Sequence, residues 1–253
     1  MCSFPLVRNF ALQNEQDRHM RKKESKILAD IVESLQEIIQ FLTPEQQAEL
    51  KENVSVQQFR KNEELYHEGE VPQLFHCLLS GKVKIYKGGI GGRTQIIRVV
   101  KPVEYFGYRA YFANQNYVTS AAAFETSSVC FLPNELIEKW MMENTQLAMY
   151  FVKRLAVEVG NSDQRTVNLT QKHIRGRLAE SLIFLRDNYG LEEDEATLSI
   201  YLSREDLANM SNMTTSNAIR TLSAFAQEKI IAIDGKKIKI IDGESLERIN
   251  KIG

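Results

Sequence analysis

The sequence predicts an α+β chain with a β-sandwich or barrel at its centre, a long helix after it and a compact helical unit at the end. Three observations predict this. Seven short β-prone runs separated by glycines lie between Val54 and Leu132. Apolar residues then recur at steps of three and four for some 55 residues after Pro133. Finally, two capped helical segments meet at Asn212. A length of 253 residues favours two domains at roughly 100–200 residues each. With 43% hydrophobic and 26% charged residues, the chain is neither disordered nor fibrous. No run approaches the roughly 18 apolar residues of a membrane span, and the start, MCSFPLVRNF, does not read as an export signal. Cys2, Cys77 and Cys130 are odd in number and far apart, which fits a reducing cytoplasm. The net charge of −1 weighs against coating nucleic acid by charge alone but leaves room for a local reading module.

Residues 1–23 read as a polar tail ending in Arg18, His19, Arg21, Lys22 and Lys23. A helix is expected through Ile27, Ile31, Leu35, Ile38, Ile39 and Leu42. Thr43-Pro44-Glu45-Gln46 opens the next one: Thr43 caps, Pro44 suits the first turn and Gln46 completes a capping box. The expected strands are 54–59, 65–67, 75–79, 83–86, 95–100, 118–124 and 128–132. The segment Lys87–Arg93, rich in glycine, connects two strands and opens no helix, so it reads as a hairpin and not as a phosphate cradle. These segments give a β-rich unit with N-terminal helices over 24–133.

Residues 134–170 carry the long helix. Val152, Leu155, Val159, Ser162, Thr166, Leu169 and His173 alternate steps of three and four, a seam that suits pairing with a second copy of the chain. Packing onto the chain's own barrel is the alternative. Polar Ser162 and Thr166 interrupt the seam, as register control or a ligand lying against it would require. A further helix through Ile174, Leu178, Leu182, Leu185 and Tyr189 ends at Gly190. The acidic run Glu192–Glu195 reads as a solvated connection.

The last unit, 171–253, holds the segment most telling for function. Ser203 caps a helix over Arg204–Met210, Asn212 suits a left-handed turn, and Thr214 caps a second helix to about Glu228. Ala218, Thr221, Leu222 and Phe225 share a core stripe, which leaves Thr215, Ser216, Asn217, Ile219 and Arg220 for an outer face. Such a face enters a major groove: arginine pairs with guanine, an apolar group meets thymine methyl, and the Thr214 end receives a phosphate. A hairpin follows with Lys236, Lys237 and Lys239 as a basic wing. Over 203–241 there are six basic and four acidic residues.

In order and spacing these segments resemble the Crp/Fnr family of bacterial transcription regulators over about residues 40–242. Matching runs are His67-Glu68-Gly69-Glu70, Ser80-Gly81-Lys82-Val83-Lys84, Tyr105-Phe106-Gly107 and Gly176-Arg177-Leu178-Ala179, together with the helix-turn-helix. The resemblance implies a cyclic-nucleotide-binding-type β-roll (jelly roll), a dimerisation helix and a winged helix-turn-helix. It also implies a homodimer on two-fold symmetric DNA, with RNA polymerase as a further partner and no membrane. The departures bear on the signal. Where cyclic-AMP-sensing members hold ribose with glutamate, this chain has Tyr108. Where they neutralise the phosphate with arginine and serine, it has Val118 and Thr119. A buried phosphate without that arginine loses its charge-assisted bonds, so cyclic AMP does not suit the site. The adenine-contacting positions correspond to Ser162 and Asp163. Either another small molecule binds there, or Tyr108, Arg109 and Tyr111 fill the pocket.

Other cofactors fare no better. An iron–sulfur sensor needs clustered cysteines, which are lacking. Haem held by His76-Cys77 fails because strand alternation sends the two to opposite faces; a packed cysteine and a half-exposed histidine are expected instead. The sequence thus requires no cofactor. At the recognition face, Ser216 and Thr215 replace the family's usual glutamate and frequent arginine, which predicts a different consensus. Catalysis finds no clustered histidines among His19, His67, His76 and His173. A sensor subunit that does not bind DNA, or a haem-based gas sensor of the same family, remains the alternative.

Overall fold

The computed structural model describes residues 31, 33–89 and 92–253. Cys2, Ile27 and the basic cluster at 18–23 lie outside the described residues. Among the described residues of the N-terminal helical segment, Ile31, Glu33 and Ser34 are helical, Leu35 turns, and α1 (Gln36–Ile39) follows. Bonds from Ile38 N to Leu35 O and Phe41 N to Ile38 O tighten these turns, and Leu35, Ile38 and Leu42 all reach the core. In α2 (Pro44–Asn53) Thr43 and Gln46 form the expected capping box.

Eight strands form two antiparallel sheets. One is ordered β1 (Ser55–Phe59), β8 (Ser127–Pro133), β3 (Leu74–Ser80), β6 (Tyr105–Phe106). The other is ordered β2 (Glu64–Tyr66), β7 (Ser120–Ala123), β4 (Val83–Gly88), β5 (Thr94–Val100). Strand alternation divides the apolar residues between two cores. Phe59, Tyr66, Leu78, Phe106 and Phe131 fill the roll interior. Phe75, Cys77, Tyr105, Cys130 and Leu132 face outward onto Leu35, Ile38, Trp140 and Phe151. Each such aromatic buried fully contributes about 1.5–3 kcal/mol. Strand β6 and the short helix α3 (Tyr108–Phe112) were not expected. They are too short to show a period, and Gly107 at φ +85° makes the turn between them.

The helical stretch after Pro133 is three helices. Asn144 is extended and caps α5 (Thr145–Gln171) through Gln146 N and Leu147 N, which separates it from α4 (Asn134–Glu143). Lys172 and His173 are extended before α6 (Ile174–Tyr189), which ends at Gly190 as expected. The last unit comprises α7 (Arg204–Met210), α8 (Thr215–Gln227), the hairpin β9 (Ile231–Asp234) and β10 (Lys237–Ile240), and α9 (Gly243–Ile252). Its core of Leu178, Leu182, Leu207, Leu222, Phe225 and Leu246 also takes in Ile96, Val99 and Phe124 of the roll. Lys84 on β4 meets Asp206 on α7 at 3.0 Å, so this unit is seated on the β4–β5 side.

The acidic run is not a free connection. Leu198 N donates to Ile238 O and Ile240 N to Ala196 O, both at 2.9 Å, so residues 196–198 run beside β10. The turn that carries Glu192–Glu195 is thereby attached to the wing. The turn is largely solvent-exposed as its four acidic side chains suggest, but backbone pairing and the ion pairs Glu192–Lys237 and Asp194–Lys239 hold it to the wing.

Candidate nucleic-acid interface and effector region

The helix-turn-helix is built from local signals. Ser203 Oγ accepts from Asp206 N at 3.0 Å, Asn212 turns the chain at φ +49°, and Thr214 Oγ1 accepts from Asn217 N at 3.2 Å. Each cap is worth about 1 kcal/mol. Ala218, Thr221, Leu222 and Phe225 are buried, while Thr215, Ser216, Ile219 and Arg220 are exposed. Asn217 is half-buried, and its Oδ1 accepts from Arg220 at 2.6 Å. Arginine on an exposed face thus has its guanidinium oriented before any partner arrives. At the far end of α8, Arg175 holds Glu228 through two bonds at 2.8 and 2.7 Å and stacks on Phe225. In the wing, Arg204 donates to Gly235 O at 2.7 Å and fixes the turn. Lys236 and Lys237 are both exposed, and Lys237 meets Glu192 at 3.2 Å.

The long helix α5 buries only Leu147 and Phe151. Val152, Val159 and Thr166 of the expected seam are exposed, the valines at 52% and 60%. Leu155 and Leu169 are half-buried, and Leu155 packs on the chain's own second core. Met149, Val152, Ala156 and Val159 form one exposed stripe, which shares Val152 and Val159 with the expected seam. The distinction lay beyond spacing, because the roll-facing stripe has the same period.

Of the expected effector residues, Tyr108 and Arg109 both reach Glu158 of α5, whereas Val118, Ser162 and Asp163 are exposed. Tyr108 is buried in the helix-facing core beside Phe75 and Phe151, and burial, reinforced by the charge of Glu158, pushes its hydroxyl up to about 12. Tyr108 therefore does not fill the roll, nor do Arg109, whose side chain is 64% exposed, or Tyr111, which donates to Glu138. The interior is occupied by Tyr66 stacked on Tyr117 at 3.9 Å and by His76 among Phe106, Phe131 and Tyr66. Val118 is exposed and Thr119 lies beside Tyr66. Ser162 and Asp163 are exposed on α5.

His76 is not half-exposed as expected: it is buried, and desolvation lowers its pKa to about 3. It does face away from Cys77, which lies in the other core. Among the described residues no group of three or more His, Cys, Asp or Glu is placed to hold a metal ion.

Sequence reasoning missed the polar junction between roll and long helix. Glu158 on α5 accepts from Arg98 on β5 at 2.8 Å and from the Tyr108 hydroxyl at 3.3 Å, with Arg109 at 3.9 Å. Arg165 donates to the carbonyls of Ile96 and Ile97, where β5 bulges. The available signal was Arg98 set within the apolar run Ile96–Val100.

Two family models match the chain: the cyclic nucleotide-binding domain over residues 56–144 and the Crp-like helix-turn-helix domain over 176–249. A CRP-like cAMP-activated global transcriptional regulator of Mycobacterium tuberculosis is 23% identical over 212 residues, covering 83% of this chain and 95% of that protein. The transcriptional activator protein Anr of Pseudomonas protegens is 26% identical over 186 residues, covering 72% and 75%. The structure of FixK2 from Bradyrhizobium japonicum superimposes with a TM-score of 0.70 at 22% identity, covering 78% of this chain and 97% of that one.

Proposed function

The chain belongs to the Crp/Fnr family of DNA-binding transcriptional regulators, and from that premise we propose that it acts as a cytoplasmic homodimer on a two-fold symmetric duplex site. The observation that carries the reading is the division of α8 into a buried stripe and an exposed polar face with a preset arginine. In this reading Arg220 reads a guanine, Ile219 meets a thymine methyl, and Thr215, Ser216 and Asn217 complete the contact. The N-terminus of α8 at Thr214 and the wing residue Lys236 face phosphates. Lys237, assigned to the same role, first has to leave Glu192. Pairing of α5 with its copy covers Val152 and Val159 and sets the two readers about 34 Å apart. The bound dimer acts on RNA polymerase, and the chain works as a regulator, not an enzyme. No described helix is long and apolar enough to cross a membrane.

The signal enters at the roll and its junction with α5. Cyclic AMP does not fit the residues present. No arginine stands at Val118, and the stacked tyrosines Tyr66 and Tyr117 occupy the interior. A cyclic phosphate at Val118 and Thr119 finds no arginine at those positions to give it charge-assisted bonds. A haem held by His76 and Cys77 fails because they face different cores.

The test is selection of bound fragments from sheared bacterial DNA by the purified protein, at moderate salt with competitor. A two-fold symmetric consensus with half-sites one helical turn apart is expected. A lack of enrichment both with and without cell extract removes the DNA-reading assignment.

A further inference from the structure

The wing carries Lys236, Lys237 and Lys239, yet two of the three are already engaged. Glu192 meets Lys237 Nζ at 3.2 Å and Asp194 meets Lys239 Nζ at 3.0 Å. Lys237 Nζ also lies 5.3 Å from the Tyr201 ring. Lys236 has no ion-pair partner among the described residues. The acidic turn is held firmly in this position. Residues 196–198 run beside β10, and Asp194 accepts from Ala196 N, Thr197 N and the Thr197 hydroxyl. With the turn included, residues 191–241 hold six basic and eight acidic side chains, so the segment changes sign from positive to negative.

We propose that the acidic turn Glu192–Glu195 is a tethered competitor for DNA phosphate: by pairing with Lys237 and Lys239 it limits the grip of the wing on the duplex backbone. The inference rests on the reading of α8 and the wing as the duplex-facing surface. Phosphate contacts supply most sequence-independent affinity, and each lysine withheld removes one released counterion from binding. The turn therefore governs how much of the total affinity is backbone attraction. The competition is local, because these pairs are solvent-exposed and of ordinary strength.

The test uses the full chain and four forms: wild type, Glu192→Gln, Lys237→Gln and the double variant. Elution from a heparin column reads lysine availability without a duplex. Glu192→Gln should elute at higher salt than wild type, and Lys237→Gln should remove that gain in the double variant. Binding to a labelled duplex of scrambled sequence, followed by anisotropy over a salt series, gives the second readout. Glu192→Gln should bind about two- to fivefold tighter at low salt. Its log–log salt slope should steepen by about 0.9. Lys237→Gln should weaken binding more in the Glu192→Gln background than in wild type. Equal heparin elution of wild type and Glu192→Gln overturns the proposal. So does an equal cost of Lys237→Gln in both backgrounds. Heparin retention that shifts as expected, with no binding of any form to any duplex, upholds the competition and overturns the DNA-reading assignment alone.

Discussion

His76 should make the β-roll sensitive to acid. Its imidazole is 2% exposed, with Phe106 stacked at 4.9 Å, Phe131 at 5.0 Å and Tyr66 at 5.5 Å. Nδ1 is buried without a hydrogen-bond partner. Desolvation therefore disfavours the imidazolium and lowers the pKa to about 3, while the backbone of Phe106 and Leu74 opposes this only in part. An unfolded histidine titrates near 6.5. Below that pH the unfolded chain takes up a proton that the native roll refuses. The stabilisation is complete above about pH 6.5, declines as pH falls towards 3, and is lost below that. One proton corresponds to about 1.4 kcal/mol per pH unit, or about 2–3 kcal/mol between pH 7 and pH 4.5. Urea unfolding of wild type and His76→Leu across that range measures the difference. Wild type should lose this amount more than the variant, whose leucine has no proton to bind. Equal losses in the two proteins would refute the account of His76 as a buried neutral group.

Three further outcomes are expected. Arg220→Ala should lower affinity for the selected site by about 1–3 kcal/mol and relax one base position, read by repeating the fragment selection; an unchanged consensus would remove the guanine-reading role. Val159→Lys should give monomers in sedimentation with the far-ultraviolet circular dichroism unchanged, because the residue is 60% exposed within one chain. A persisting dimer would place the interface elsewhere. Gly107→Ala should cost about 1–3 kcal/mol in denaturant unfolding, since the position has φ +85° and an added Cβ runs into His76 Nδ1. A neutral result would show that His76 has room to move.

Much of the fold was legible because its signals are local. The capping box at Thr43, the caps at Ser203 and Thr214 and the left-handed Asn212 each involve residues within three or four positions. Strand alternation likewise sent His76 and Cys77 to opposite faces. The exposed face of α8 followed from one helix period, since burying Ala218 and Leu222 leaves Ser216 and Arg220 outside. The effector region was less legible. Positions carried over by resemblance differ in burial, with Tyr108 in one core and Val118 at the surface.

By itself the sequence determined the order of elements, the two capped helices and the exposed face of α8, because hydrophobic period and capping act within a few residues. The tertiary structure decided the rest through residues distant in the chain. It joined Glu158 to Arg98 and Tyr108, turned Leu155 toward the roll and enclosed His76. It also laid an acidic turn on a basic wing through backbone bonds and two ion pairs between segments some 45 residues apart. Which face of a helix meets the chain, and which charges meet each other, depends on where sheets pack, and no local period encodes that.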